Sequence, residues 1–138
     1  MAEQDNVAVI KKIYAAFSTG DIQTVLNNVD SNAEWINHGP QSVPYMGTFT
    51  GKIPAFFKGI GDSTTEAKVV ADTFIAQGDR VVSMARYSAT VRGTGAKIDT
   101  PLAHVFTVRN GKVTSWIGFS DTAAVAAAHA GTAASASR

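Results

Sequence analysis

The chain contains no cysteine. A disulfide framework, a thiolate nucleophile and a zinc site built on sulfur ligands are therefore excluded. The sequence also has no excess of one charge, because 12 Lys and Arg residues nearly balance 11 Asp and Glu residues. No basic stripe interleaved with aromatic residues is present, so nucleic acid is not an expected partner.

Long apolar runs are absent too, and a membrane is therefore not an expected partner. Hydrophobic residues make up 45% of the chain and charged residues 17%, which is typical of a soluble folded domain. The N-terminal stretch lacks the basic and then apolar order of a signal peptide, which predicts a cytoplasmic protein. With 138 residues, the chain is expected to form one domain over residues 1–130, followed by a flexible tail at 131–138.

Apolar residues recur at helical spacing in the first part of the chain. The pattern predicts a helix over residues 6–17, and Gly20 follows where a C-terminal cap belongs. Asp21 can cap a short second helix, and a third helix, with Pro54 in its first turn, is predicted for "KIPAFFKGI". A brief strand is predicted for "AEWINH", and residues 38–51 have the glycine and proline content of a loop.

The second half of the chain carries four β-rich segments, separated by the turn signals "GD", "GTGA" and "NG". An antiparallel meander is therefore predicted, followed by a helix over "TAAVAAAHA" that Asp121 can cap. Helices first and paired strands afterwards predict an α+β fold. Because long strands twist and curve, three N-terminal helices across the concave face of such a sheet would form a cone that encloses an apolar pocket.

Alternation along the strands indicates which side chains share a face. The face that holds Trp116 and Gly118 is the expected interior, since the opposite choice would leave a tryptophan in water. Ile117 and Phe119 then point outward, which predicts a homodimer formed through the sheet. Small inward residues such as Ser83 beside large aromatic ones would leave a void, and this favours a small apolar molecule as the partner.

The order of these segments resembles the SnoaL-like branch of the nuclear transport factor 2-like superfamily, which includes polyketide cyclases, ketosteroid isomerases and limonene epoxide hydrolases. The matching parts are "YAAFSTGDIQTVLNNV", "WINHGP", "GTFTGKIPAFF" and "HVFTVRNGKV", followed by a tryptophan and "DTAAV". The resemblance implies the cone-shaped, cystatin-like α+β fold with a deep apolar cavity. It also implies dimerisation through the outer face of the sheet.

The positions that match the catalytic carboxylates of these relatives carry other residues in this sequence. The isomerase positions for the two carboxyl groups and the tyrosine are matched by Asn37, Ala103 and Ile13. Tyr14 lies one residue beyond the tyrosine position, and such a shift turns a helical side chain by about 100°. The cyclase aspartate falls on Gly118.

The arginine and the two aspartates that the epoxide hydrolases use are also replaced, because Ala85, Tyr87 and Gly118 occupy the matching positions. Two polar matches remain, His104 and Asn37. With an unperturbed pKa near 6.5, His104 could act as acid or base at pH 7, with Asn37 or Tyr87 polarising a carbonyl group. The alternative is a core histidine held by one hydrogen bond.

A wider set of residues is predicted to bind the ligand. These are Trp35, His38, Tyr45, Phe56, Met84, Phe106, Trp116 and Asp121. For His38 a solvated position on the rim is the alternative, and for Asp121 a role as helix cap. The three histidines lie on different elements without a metal-binding spacing, so no metal and no cofactor are predicted.

Three functions remain open at this point. The first is an isomerase, cyclase or dehydratase that acts on a small apolar carbonyl compound. The second is a carrier or sensor that binds a small apolar molecule without converting it. The third is a structural dimer module whose core is filled by its own side chains.

Overall fold

The structure is a computed structural model that describes residues 2–131. Its elements are α1 (Glu3–Ser18), α2 (Ile22–Asn27), β1 (Val29–Asn37), β2 (Gly47–Thr48), α3 (Ile53–Ser63), β3 (Thr64–Gln77), β4 (Arg80–Val91), β5 (Lys97–Arg109), β6 (Lys112–Ser120) and α4 (Thr122–Ala130). Except for Gly131, the predicted tail at 131–138 lies outside the described residues. The predicted α+β class is confirmed.

Six strands form one sheet in the order β2-β1-β6-β5-β4-β3. Strands β3 to β6 pair antiparallel as the predicted meander, while β1 runs parallel to β6. Strand β1 is longer than the predicted brief strand, and β2 adds a short edge within the segment predicted to be loop. The first strand, β1, thus lies next to the last strand, β6.

The turn between β5 and β6 helps to set the pairing of these two strands. Asn110 and Gly111 both have positive φ angles, 53° and 78°, as a two-residue type I′ hairpin requires. Asparagine and glycine are the residues that adopt this conformation at least cost. The turn sets Arg109 opposite Lys112, and a register shift between Thr107 and Val108 then adds one extra residue of β6, Thr114. This β-bulge brings His104 of β5 opposite Gly118 of β6.

The helices cover the concave face of the sheet. Helix α1 packs on β3 and β4, and α4 packs on β5. No helix within residues 2–131 has the length and apolar character needed to span a bilayer.

Asp121 is the N-cap of α4 and not part of the pocket. Its carboxylate accepts a hydrogen bond from the Ala124 N–H at 3.1 Å, and the residue is exposed. The prediction that Asp121 binds the ligand is therefore corrected in favour of its alternative role. The physical reason is that a carboxylate here satisfies a helix N–H group that would otherwise lack a partner.

Met84 lies on the outer face of the sheet, where its side chain is 51% exposed. Its neighbour Ser83 is fully buried on the concave face, and successive side chains of a strand point to opposite faces. The prediction that Met84 lines the pocket is therefore wrong. Among residues 2–131, Met84 is one of four large apolar residues that are exposed on the outer surface, and the others are Val70, Ile75 and Phe119.

Candidate functional site

A cavity of about 90 Å³ lies between the concave face of the sheet and the helices. Eight of the predicted site residues line it: Trp35, Asn37, Tyr45, Phe56, Tyr87, His104, Phe106 and Trp116. In the described part of the chain, the lining contains no Asp, Glu, Lys or Arg. Phe119 belongs to the lining although it is 48% exposed, which places the mouth of the cavity beside it.

His38 is exposed and does not belong to the lining. It follows the end of β1, and its ring stacks on Phe119 with 5.1 Å between the centroids. The structure thus places His38 on the rim, which was the alternative position. It can meet a ligand at the mouth but not inside the cavity.

The polar groups of the cavity lie in one row across the sheet. Ser83 of β4 pairs with His104 of β5, His104 pairs with Gly118 of β6, and Gly118 pairs with Asn37 of β1. All four point to the concave side and are buried. Strand register alone therefore assembles these residues, which are distant in the sequence.

Tyr14 of α1, which is not among the residues predicted to form the site, completes this row from the side of the helices. Its hydroxyl oxygen lies 2.7 Å from His104 Nδ1 and is also hydrogen-bonded to the Ser83 hydroxyl. The long phenol side chain reaches the sheet in spite of the one-residue shift on α1. Ser83 and His104 are paired neighbours on the concave face, and two buried polar groups there need a polar partner from the helix above. The strand pairing is thus the signal that identifies Tyr14.

His104 is held neutral by its surroundings. Burial lowers its pKa to about 3, because no charged group offsets the loss of hydration. The rings of Phe106 and Trp116 lie 6.0 and 4.9 Å from the imidazole, centroid to centroid. Burial also raises the pKa of Tyr14. His104 is therefore expected to be a neutral hydrogen-bonding group at pH 7, and its predicted role as acid or base stays a prediction.

A second polar network lies nearer the C-terminal helix. The Tyr45 hydroxyl oxygen is 2.8 Å from the Tyr87 hydroxyl and 2.9 Å from His129 Nε2. Burial raises the pKa of both tyrosines and lowers the pKa of His129. His129, which the sequence reasoning did not count as a site residue, thereby ties α4 to the wall of the cavity.

Gly118 has no room for a side chain. A Cβ atom built there would lie 2.6 Å from Asn37 Oδ1 and 2.7 Å from the ring of Trp116. The Asn37 amide is fixed by its Nδ2, which donates to the Tyr45 carbonyl at 2.9 Å. The space at which the family resemblance implies an acidic side chain is thus filled by two neighbouring side chains.

Trp116 is the centre of an aromatic cluster. It stacks on Trp35 at 4.7 Å and packs against Phe56 at 5.1 Å, measured between ring centroids. The void expected over the small residues is therefore reduced by this ring but not closed. The indole N–H of Trp35 is buried and has no hydrogen-bond partner among the described residues.

The arrangement supports binding better than proton transfer. Its polar groups are an imidazole, an amide and hydroxyl groups, which donate and accept hydrogen bonds without carrying charge. In the described part of the chain, no group of three or more His, Asp or Glu side chains could hold a metal ion.

Comparison with known proteins identifies the family. The profile of the SnoaL-like domain matches residues 10–116, well over half of the chain, and the protein therefore belongs to this family. Its fold is the NTF2-like, cystatin-like fold. A comparison with curated proteins finds no significant match.

Several solved structures are similar over nearly the whole chain. An NTF2-like protein from Burkholderia xenovorans is 29% identical, with a TM-score of 0.82 over 94% of this chain and 98% of that one. An NTF2-like protein from Burkholderia thailandensis is 27% identical, with a TM-score of 0.81 over 93% and 98%. TerC, co-crystallized with polyporic acid, is 26% identical, with a TM-score of 0.82 over 91% and 98%.

Replacing Gly118 with alanine is expected to lower the free energy of unfolding by about 1–3 kcal/mol, because the added methyl group overlaps Asn37 and Trp116. Urea unfolding followed by circular dichroism measures the change. Gly61→Ala in α3 is the matched control, since nothing lies within 4 Å of a Cβ there. Equal stabilities of the two variants would contradict the close packing at position 118.

The lowered pKa of His104 predicts a specific loss of stability in acid. Below its ordinary pKa of 6.5, the unfolded chain binds a proton at His104 that the folded chain does not bind until about pH 3. The free energy of unfolding should therefore fall by about 1.4 kcal/mol per pH unit from this residue as the pH drops below 6.5. Urea unfolding of the wild type and His104→Gln between pH 7 and pH 4.5 should diverge by this slope. Parallel curves would show that His104 is not held neutral.

Proposed function

We propose that this protein binds a small uncharged molecule in its cavity and acts as a carrier or sensor. The observation that carries the proposal is the lining, which is apolar, contains no charged side chain among the described residues, and has a neutral histidine at its centre. A charged ligand would lose its hydration without gaining an opposite charge. An uncharged apolar ligand loses little and gains contact with the aromatic rings.

Catalysis of the isomerase, cyclase or dehydratase kind fits the same lining less well. Such reactions require a base that removes a proton from carbon, and relatives use a carboxylate for it. Asn37 and Gly118 stand at those positions, and a histidine with a pKa of about 3 is a weak base. His104, Asn37 and Tyr87 retain the ability to polarise a carbonyl group, which keeps this enzyme activity as the second candidate.

The size of the cavity limits the ligand. An engineered apolar cavity of roughly 150 Å³ in another protein binds benzene, whereas this cavity measures about 90 Å³. A molecule of about six heavy atoms, such as cyclopentanone, would fill the interior, and a larger one would extend through the mouth beside Phe119. The related protein TerC, co-crystallized with polyporic acid, supports a small organic molecule as the kind of ligand.

Binding can be followed through the fluorescence of Trp35 and Trp116, which both line the cavity. Cyclopentanone and methylenecyclopentane should change the emission saturably, while cyclopentanecarboxylate should bind at least about tenfold more weakly because its charge is not compensated. Trp116→Phe should reduce the signal, and Met84→Leu on the outer face should leave it unchanged.

The outcomes of this titration separate the open functions. Saturable binding with the probe recovered unchanged supports a carrier or sensor. Recovery of a chemically altered probe would favour the enzyme instead. A flat response to every probe would contradict the proposal and favour a structural module with a filled core.

The homodimer expected from the sequence remains part of the proposal. Met84, Ala103 and Phe119 form a row across the outer face of β4, β5 and β6. Met84 and Phe119 are 51% and 48% exposed, and burial of such a surface against a second copy would remove it from water.

Sedimentation equilibrium is expected to give the mass of a dimer for the wild type and of a monomer for Met84→Lys, since the new charge would be buried in the interface. Ser18→Lys on α1 is the control and should remain dimeric. A wild type that sediments as a monomer at all concentrations would contradict the dimer.

A further inference from the structure

We infer that the cavity presents the Nε2–H of His104 as a hydrogen-bond donor, and that the bound molecule carries an acceptor oxygen such as that of a ketone. Tyr14 and Ser83 act as positioning residues that fix this state of the imidazole. The inference rests on the proposed binding function and specifies the chemistry of its ligand.

The direction of the Ser83–Tyr14–His104 chain follows from a count of its hydrogens. Each hydroxyl has one hydrogen to donate, and the Tyr14 oxygen lies between Ser83 Oγ and His104 Nδ1. If Ser83 donates to Tyr14 and Tyr14 donates to Nδ1, every hydrogen of the chain has an acceptor. The imidazole then carries its own hydrogen on Nε2.

The opposite direction leaves a hydrogen without a partner. If Nδ1–H donates to Tyr14 and Tyr14 donates to Ser83, the Ser83 hydroxyl hydrogen needs a further acceptor. Ser83 is fully buried, and Tyr14 is its hydrogen-bond partner among the described residues. Because a buried hydroxyl hydrogen without an acceptor is disfavoured, the first direction is the stable one.

The free nitrogen of His104 faces the cavity. Among the side-chain nitrogens of residues 2–131, Trp35 Nε1 is the one that is fully buried and has no hydrogen-bond partner. Any other side-chain nitrogen of a buried residue that lacks a partner must therefore touch open space. His104 Nε2 also has no partner among these residues, so it is not sealed and borders open space. Since His104 lines the cavity, that space is the cavity.

The chemistry of the ligand follows from this donor. A carbonyl oxygen accepts a hydrogen bond without bringing a hydrogen of its own, and a ketone is otherwise apolar enough for the aromatic walls. A hydrocarbon of the same shape would leave the Nε2–H without a partner. The cavity should therefore distinguish a ketone from its hydrocarbon analogue through this one contact.

The position of the hydrogen can be measured in the unliganded protein. The ¹⁵N chemical shifts of His104, assigned by comparison with His104→Gln, should show a hydrogen on Nε2 and a bare Nδ1 at pH 7. Tyr14→Phe removes the donor to Nδ1, so the shifts of this variant should report a mixture of both tautomers. A hydrogen on Nδ1 in the wild type would overturn the inference, whether or not any ligand binds.

The second measurement uses the matched pair cyclopentanone and methylenecyclopentane. The two molecules have the same five-membered ring, and a CH₂ group replaces the ketone oxygen in the hydrocarbon. The ratio of their affinities in the wild type should shift against the ketone by about tenfold in His104→Leu and by a smaller factor in Tyr14→Phe. Met84→Leu should keep the wild-type ratio.

The two proposals fail in different ways. If both probes bind and the ratio is the same in His104→Leu and the wild type, the binding function stands and the donor role of His104 is wrong. If neither probe binds, the binding function itself fails, while the tautomer measurement still decides the direction of the hydrogen-bond chain.

Discussion

The register of four adjacent strands is the constraint on which the site depends. It places Ser83, His104, Gly118 and Asn37 side by side on the concave face. A shift of one residue in any of these pairings would turn a polar group to the outer surface and bring an apolar one in. The turn at Asn110 and Gly111 and the β-bulge next to Thr107 together set the pairing of β5 and β6. The composition of the interior then follows from the alternation of side chains.

Burial decides what this row can do. Inside an apolar wall the imidazole, the amide and the hydroxyl groups remain neutral, because a charge there would have neither water nor a counter-charge. Trp116 lies over Gly118 in the space that an acidic side chain would need. The same packing leaves no room for a carboxylate at position 118, and the lining contains no Asp or Glu among the described residues. The proposed ligand would therefore be recognised by hydrogen bonds to neutral groups alone.

Much of the fold could be predicted from local patterns, and the errors have physical causes. Turn chemistry predicted the meander, and alternation together with the need to bury a tryptophan predicted the inward position of Trp116. The cavity position of His104 was implied by the family resemblance. Met84 was misplaced because its apolar character was given more weight than its position next to Ser83. Tyr14 was missed because its orientation depends on how α1 lies on the sheet, which the helical repeat does not encode.

The cavity itself was beyond sequence reasoning for a similar reason. Whether small residues leave open space depends on the direction of one large ring, that of Trp116, and on the docking of α4 through His129. The most direct test is diffraction from crystals equilibrated under xenon pressure, since xenon enters open apolar cavities. The account predicts a xenon atom in the space bounded by Trp116, Phe56 and His104. Continuous side-chain density there, with no xenon, would contradict it.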